Sequence, residues 1–330
     1  MSRWYSNDGK NSDVVLYSRV RLARNLADSP FPAKMSEEIR KSVTKKLYAT
    51  LKSSPFANEF DLINLADCTR ERALSYAEKC LASPQLVKEG GQLMISKKED
   101  VSIMLCEEDH IRINAFSSGQ NLEDAFNKAN DIDDVFLNSL KIAYSDKLGF
   151  LTASPMNLGT GLKASFILHL PALRMENSLY RISAMVGKLG LNLTELYKNG
   201  AGDLYVLSNQ VSLGITEKSA IDNVSAICDQ IVKQEREARE ELKKDFEFED
   251  RIFRNLGILK SARILKTDEF LKGISLVRLG ISLGYFDIDY KTVGDMLYTL
   301  HSATLAADTN GEYTEEACGR MRAKIVREKL

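Results

Sequence analysis

The chain predicts an α+β fold, a helix-flanked β-sheet followed by a smaller all-helical C-terminal domain. Three observations carry this. Apolar residues alternate with a period of two at 101–105, 111–113 and 164–170, as in half-buried strands. They recur every three or four residues across 122–143, as in an amphipathic helix. From Glu217 onward strand signals fade and helical spacing dominates. The expected domains are residues 11–239 and 240–330, in keeping with a length of 330 residues.

An apolar content of 44% is enough for a sizeable core. A net charge of −1 gives no bulk attraction to nucleic acid or to a membrane surface. The five cysteines are scattered and include no CxxC. That spacing speaks for a reducing, cytoplasmic compartment and against disulfides or structural zinc. The three histidines form no metal-spaced cluster, so no metal ligands are expected from the protein. The N-terminus is polar, without a signal-peptide core, and no apolar run reaches the ~18 residues of a membrane span.

Residues 13–25, DVVLYSRVRLARN, start as a strand. Extended backbone sends Arg19 and Arg21 to one side, Val20 and Leu22 to the other. Two arginines on one face could grip an anion or line a solvated edge. Residues 36–51 read as a helix capped by Ser36, with Glu37 and Glu38 at the positive end of its dipole. Short strands are expected at 60–65 and 92–96, with a helix at 69–81 between them. In 101–116, VSIMLCEEDHIRINAF, two strand-like pieces flank Glu107-Glu108-Asp109. Those carboxylates could hold a cation and Arg112 an anion; a plain exposed acidic turn is the alternative.

The chain is organised around 151–173. A turn-rich run, SPMNLGTG, leads into a strand with Lys163, Ser165, Ile167 and His169 on one side. Ala164, Phe166, Leu168 and Leu170 fall on the other. A lysine opening a strand behind a flexible loop could bind phosphate, although the GxxxxGK[ST] spacing of a P-loop is absent. A helix is expected at 179–189, a loop at 191–202 and a strand at 204–207. The segment KQEREAREELKKDFEFED reads as a solvated helix at the domain boundary, and 315–330 as a basic helix.

YSRVRLARN, LCEEDHIRI, and LTASPMNLGTGLKAS followed by HLPAL, in that order, together resemble the ATP:guanidino phosphotransferases. The bacterial protein-arginine kinases are the most similar branch, and VRLGISLG and VREKL resemble their helical C-terminal domain. The resemblance implies an antiparallel sheet crossed by helices, the guanidino kinase catalytic fold. It implies ATP and Mg²⁺ as cofactors and transfer of phosphate to a guanidinium nitrogen. Ser18, Arg19, Arg21, Cys80, Arg112, Lys163, Ala164 and Ser165 would lie at the nucleotide. Glu108 matches the catalytic glutamate, which orients the guanidinium and helps remove its proton. The small-molecule members carry a further helical domain ahead of the first motif, for which Val14 leaves no room, so a protein acceptor is favoured. Implied partners are proteins with exposed arginine, an AAA+ unfoldase of a Clp protease and a small zinc-binding activator; a homodimer is the family's common assembly.

Several motif positions differ from the family pattern. Ser154 stands in place of a cysteine, Lys163 of an arginine, Cys80 of a histidine and Thr194 of an arginine. Asn199, in a shortened loop, stands in place of a second catalytic glutamate; opposite Glu108 across one cleft it would frame a guanidinium. The family's phosphoarginine-binding RDxxRA reads Cys318-Gly319-Arg320-Met321-Arg322-Ala323, keeping Arg322 and Ala323 but not the Arg-Asp pair. Weak or no affinity for phosphoarginine is therefore expected. Two functions stay open: an active protein-arginine kinase, and a catalytically degenerate relative that serves as a nucleotide- or partner-binding regulatory module. A small-metabolite guanidino kinase is a third reading.

Overall fold

A computed structural model describes residues 4–6, 9–309 and 313–330. Its strands are β1 (Val15–Arg24), β2 (Phe60–Asn64), β3 (Gln92–Ser96), β4 (Val101–Leu105), β5 (Ile111–Ser118), the short β6 (Tyr144–Ser145) and β7 (Gly149–Phe150), β8 (Leu162–His169), β9 (Leu191–Glu195) and β10 (Leu204–Asn209). Eight of them form one antiparallel sheet in the order β2-β3-β4-β5-β1-β8-β10-β9. The arginine-bearing β1 lies inside this sheet, between β5 and β8.

The helices are α1 (Glu37–Lys52), α2 (Arg70–Glu78), α3 (Pro84–Glu89), α4 (Leu122–Ser139), α5 (Pro171–Met175), α6 (Leu179–Lys188) and α7 (Glu217–Leu242). After them come α8 (Phe246–Ser261), α9 (Thr267–Ser282), α10 (Tyr290–Thr299), α11 (Ser302–Thr309) and α12 (Glu315–Lys329). Ser36 caps α1 by accepting a hydrogen bond from the Ile39 amide, a contact worth about 1 kcal/mol.

The alternation of side chains gives the sheet two unlike faces. Val20, Leu22, Ile113 and Phe166 turn into the main core, where α1, α4, α6 and α7 cover them. The opposite face buries Leu93, Met104, Phe116 and Ile167 against the α2–α3 segment and Trp4. Helices α8–α12 enclose a separate core around Leu259, Phe270, Ile274, Val277 and Met296, and it reaches Ala201 and, at the start of β10, Leu204. The C-terminal helices also meet the α2–α3 segment where Tyr298 donates to the Lys79 carbonyl at 2.9 Å.

Three expectations need correction. The helix at 122–143 stops at Ser139, because the chain turns back to the end of β1, where the Ala143 amide donates to the Asn25 carbonyl at 2.7 Å. The expected loop at 191–202 begins as edge strand β9, paired with β10 from Leu191 to Glu195. Its polar residues hid the strand because Asn192 and Thr194 face away from the core. The charged segment after Val232 is not simply solvated. Glu235 and Arg239 are 0% and 3% exposed and bond at 2.7 Å. Glu235 also accepts from the Ala172 and Leu173 amides. Helix α7 runs unbroken through 239/240, the expected domain boundary, to Leu242.

Candidate active site

Strand register brings the charged residues together. Arg21 lies opposite Lys163 of β8 and opposite Asn114 of β5, while Arg19 lies opposite Ser165. Arg112 is opposite Ala23, one step diagonal from Arg21. Directly paired residues have Cβ atoms about 5 Å apart and diagonal ones about 7 Å, so the four cations share one patch. Each is half-buried, and on β8 Lys163 is the one residue not fully buried. Arg19, Arg21 and Lys163 make no hydrogen bond or ion pair with another described residue, which leaves their donors for a ligand.

The crowding is electrostatically costly. Burial lowers the Lys163 ammonium, and Arg21, Arg19 and Arg112 push it lower still. Arg21 is lowered by burial, then Arg112 and Arg19, with Glu107 and Glu108 opposing. Like charges held this close on a rigid sheet form a preorganised site for a polyanion.

The acidic turn between β4 and β5 divides its work. Glu107 pairs with Arg112, and Ser83, the N-cap of α3, donates to it at 2.7 Å. Burial alone would raise the Glu107 carboxyl, but Arg112 and Ser83 outweigh it and bring it below the usual carboxylate range. Asp109 is fully buried. Its Oδ1 accepts from Asn25 Nδ2 at 2.5 Å and from the Ala153 amide at 2.7 Å. Asn25 Oδ1 in turn accepts from the His110 amide at 2.9 Å. This brace ties the turn to the loop holding Ser154, which is partly exposed. Glu108 alone is exposed and aims no carboxylate oxygen at a described partner. This division leaves no mark in the sequence, since all three acids look alike in a string; the Asn25 brace could be inferred only from its place at the end of β1.

Arg24 fixes the loop that leads into β8. Buried beside Asp133 at 2.7 Å, it donates to the Thr160 and Ala23 carbonyls and stacks on Phe150. Gly161 has φ +64°, and a Cβ there would come within 2.5 Å of Arg24 Nη1. Only glycine lets the loop lie this close before Lys163 begins β8.

Other expected site residues fall elsewhere. Ser18 and Ala164 turn to the core face. The Ser18 hydroxyl donates to the Gly119 carbonyl and accepts from the Asn121 amide, both at 2.7 Å. Their side chains therefore cannot reach a nucleotide on the cation face. Ser165 lies on that face, buried, with its Oγ lacking a partner among the described residues. Cys80 lies on the same side, 3.7 Å from the Tyr17 hydroxyl. Thr194 is exposed on β9, in the row of Val206 and Ile167, beyond the row of Arg19.

Asn199 does not face Glu108. It follows β9 at the His169 end of the sheet, whereas Glu108 sits at the Leu162 end. The eight residues of β8 between these ends span about 24 Å. The Asn199 carbonyl is held by Arg174, 3.0 Å away, and Arg174 also bonds Gly200 O and Asp203. Asp203 accepts from Ser275 of α9, anchoring this loop to the C-terminal domain.

Comparison with known proteins places this arrangement. Residues 39–238 match the model of the ATP:guanido phosphotransferase C-terminal catalytic domain. Residues 245–330 match the protein-arginine kinase McsB C-terminal domain. A protein-arginine kinase of Clostridium acetobutylicum is 39% identical over 339 residues, covering 100% of both chains. The chain belongs to the protein-arginine kinase family. A second relative from Clostridium novyi, also a protein-arginine kinase, is 38% identical over 100% of this chain and 98% of its own. Among solved structures, the duplicated taurocyamine kinase from Schistosoma mansoni with bound transition-state analogue components aligns with a TM-score of 0.62 and 25% identity. The match covers 71% of this chain and 34% of that one. Lombricine kinase shares the fold at TM-score 0.60 and 19% identity, over 70% of this chain and 68% of its own.

Within this family frame the C-terminal motif is filled from inside. Arg322 is 1% exposed and donates to the Leu300 and Leu265 carbonyls at 2.7 and 2.6 Å and to Ser302 Oγ at 2.8 Å. Cys318 is buried, and a Cβ at Gly319 would meet Leu265 O at 3.2 Å. Ala323 belongs to the helical core.

Proposed function

We propose that this protein phosphorylates arginine residues of protein substrates, using Mg-ATP. The observation that carries the reading is the convergence of Arg19, Arg21, Arg112 and Lys163 beside an exposed Glu108. The cations would hold the phosphates, and positioning with charge neutralisation would carry the rate. Glu108 would orient the acceptor guanidinium and take a proton from it. The nitrogen–phosphorus bond then forms as the bond from the γ-phosphorus to the ADP oxygen breaks. Among the described residues no three His, Cys, Asp or Glu side chains gather as a metal cage. Mg²⁺ fits this site as the counter-ion carried by the triphosphate, where it would neutralise developing charge.

Ser154 beside the brace and Ser165 and Cys80 on the cation face belong to the same reading, as contacts to the acceptor and nucleotide. Asn199 and Thr194 do not support a second acid or a further cation in the site, so a retuned, slower kinase is the form proposed. That same observation favours, as a second reading, a nucleotide-binding regulatory module. The filled surroundings of Arg322 support weak or absent phosphoarginine binding in the C-terminal domain, with residues 240–330 as a separate structural unit. A cytoplasmic setting, marking of substrates for a Clp-type protease, a zinc-binding activator and homodimerisation are further parts of the proposal; no described helix is long and apolar enough to cross a membrane.

Purified protein incubated with Mg-ATP and casein tests the reading. Acid-labile phosphate on arginine, absent from Glu108→Gln, is the expected result. ATP binding with no transfer above the Glu108→Gln background would favour the regulatory reading. Transfer to free arginine but not to casein would point to a metabolite kinase.

A further inference from the structure

Glu107 is the acid of the turn whose carboxylate meets both a cation of the patch and the cap of α3. Its Oε2 pairs with Arg112 Nη1 on β5, and its Oε1 accepts from Ser83 Oγ at 2.7 Å. Both members of the ion pair are shielded, with side-chain exposures of 6% for Glu107 and 12% for Arg112. Ser83 also accepts from the Leu86 amide at 3.0 Å, which fixes it as the cap of α3. The preceding residues are themselves anchored to the sheet, since Ser102 donates to the Leu81 carbonyl at 2.7 Å. Asn114 donates to Ser102 at 3.3 Å, and Asn114 is the register partner of Arg21.

Arg112 faces a specific difficulty. It shares its patch with Arg19, Arg21 and Lys163, and a flexible guanidinium among like charges tends to swing out to solvent. One carboxylate behind it can prevent this and still leave most of its donors facing forward.

We propose that Glu107 is a positioning residue for nucleotide binding: it holds Arg112 toward the phosphate site and, through Ser83, locks that arginine to the segment carrying Cys80. This rests on the kinase reading of the same site. Glu107 does not touch the acceptor and takes no proton in the reaction. Its contribution is made before ATP arrives, so its loss should appear in ATP affinity and leave the transfer step itself largely intact. A defect of general folding would do the opposite, lowering the active fraction and hence kcat while KM stayed put.

The test compares wild type, Ser83→Ala, Glu107→Gln and Glu107→Ala. KM for ATP and kcat are measured with casein, together with direct ATP binding by calorimetry and melting temperature. A hydrogen bond to a charged group is lost, so KM and Kd for ATP should rise about tenfold or more in Glu107→Ala. Gln keeps one oxygen for Arg112, so Glu107→Gln should lie between Ala and wild type. Ser83→Ala, which leaves the ion pair, should rise least, and kcat should stay within about threefold throughout. Wild-type ATP affinity in a folded Glu107→Ala, or a loss confined to kcat, would overturn the proposal. Should Glu107→Ala fail to fold, Glu107→Gln and Ser83→Ala decide: unchanged ATP affinity in both overturns it. Wild-type protein that binds no ATP would overturn the kinase reading itself, a result distinct from normal binding in the variants.

Discussion

Arg21 and Arg322 occupy motif positions of the two domains, and their surroundings are opposite. Arg21 stands half-buried among three further cations, with no described acceptor. Arg322 is enclosed, with its donors already taken by two carbonyls and a hydroxyl. The same side chain keeps its donors clear of described partners in one setting and is a structural tie in the other. What separates them is the supply of acceptors: sheet strands spend their backbone carbonyls on one another, whereas Leu300, the C-cap of α10, and Leu265, in the loop before α9, present carbonyls with no ladder partner. A retained arginine in a motif therefore says little until its partners are known.

Substitution of Glu108 should have the greatest consequence. Glu108→Gln should cut phosphoryl transfer by about 10³-fold while leaving ATP affinity near wild type, measured by acid-labile phosphate release and calorimetry. Normal turnover in that variant would remove Glu108 from the chemistry. Next in size, Arg21→Ala should raise KM for ATP by about 10- to 100-fold with little change in melting temperature, because the residue has ligand-facing donors and few structural ones. Arg322→Ala should show the reverse. It leaves buried acceptors unpaired and should cost about 3 kcal/mol in denaturant unfolding, with KM for ATP unchanged. Equal effects of both substitutions on ATP binding would erase the distinction between the two regions.

Acid should act on the scaffold more gently. His110, His169 and His301 are buried, and burial lowers all three below the ordinary histidine value of 6.5, with Arg239 and Arg278 adding to the effect at His169. A depressed folded-state pKa means the fold favours the neutral ring. Stability is then fully present above about 6.5 and is lost as pH falls, since the unfolded chain takes up protons that the fold resists. Urea midpoints should be flat from pH 8 to 7 and fall between about 6.5 and 5; a midpoint that rises across that interval would contradict the assignment. The smallest effect is expected for Asn199→Glu. Placed at the far end of β8 from Glu108, the new carboxylate should change kcat by less than about threefold. A large gain would mean that the Arg174-held loop can cross the site.

The framework was legible because it follows from spacing. Alternation in Lys163–His169 and in the arginines of β1 fixed which side chains share a face, and the switch to helical spacing at Glu217 agreed with α7 beginning there. Partners were not legible. Nothing in EED distinguishes the acid that pairs with Arg112 from the one that accepts from Ala153 or the one left exposed, because those partners are 5, 44 and no residues away in a way only the folded chain decides. Edge strand β9 was missed since half of it faces solvent, and buried Glu235 was missed since a charged run reads as surface. Ser18 and Ala164 show a further limit: the strand neighbours of the cation-face residues turn their side chains the other way.

In the function proposed, the cation face holds the triphosphate with its terminal phosphorus toward Glu108. A crystal structure with Mg-ATP analogue bound addresses it directly. The phosphate oxygens are expected within hydrogen-bond distance of Arg19, Arg21, Arg112 and Lys163, with Glu108 beside the γ-phosphate. A triphosphate bound away from these four side chains, in a crystal where they remain free, would contradict it.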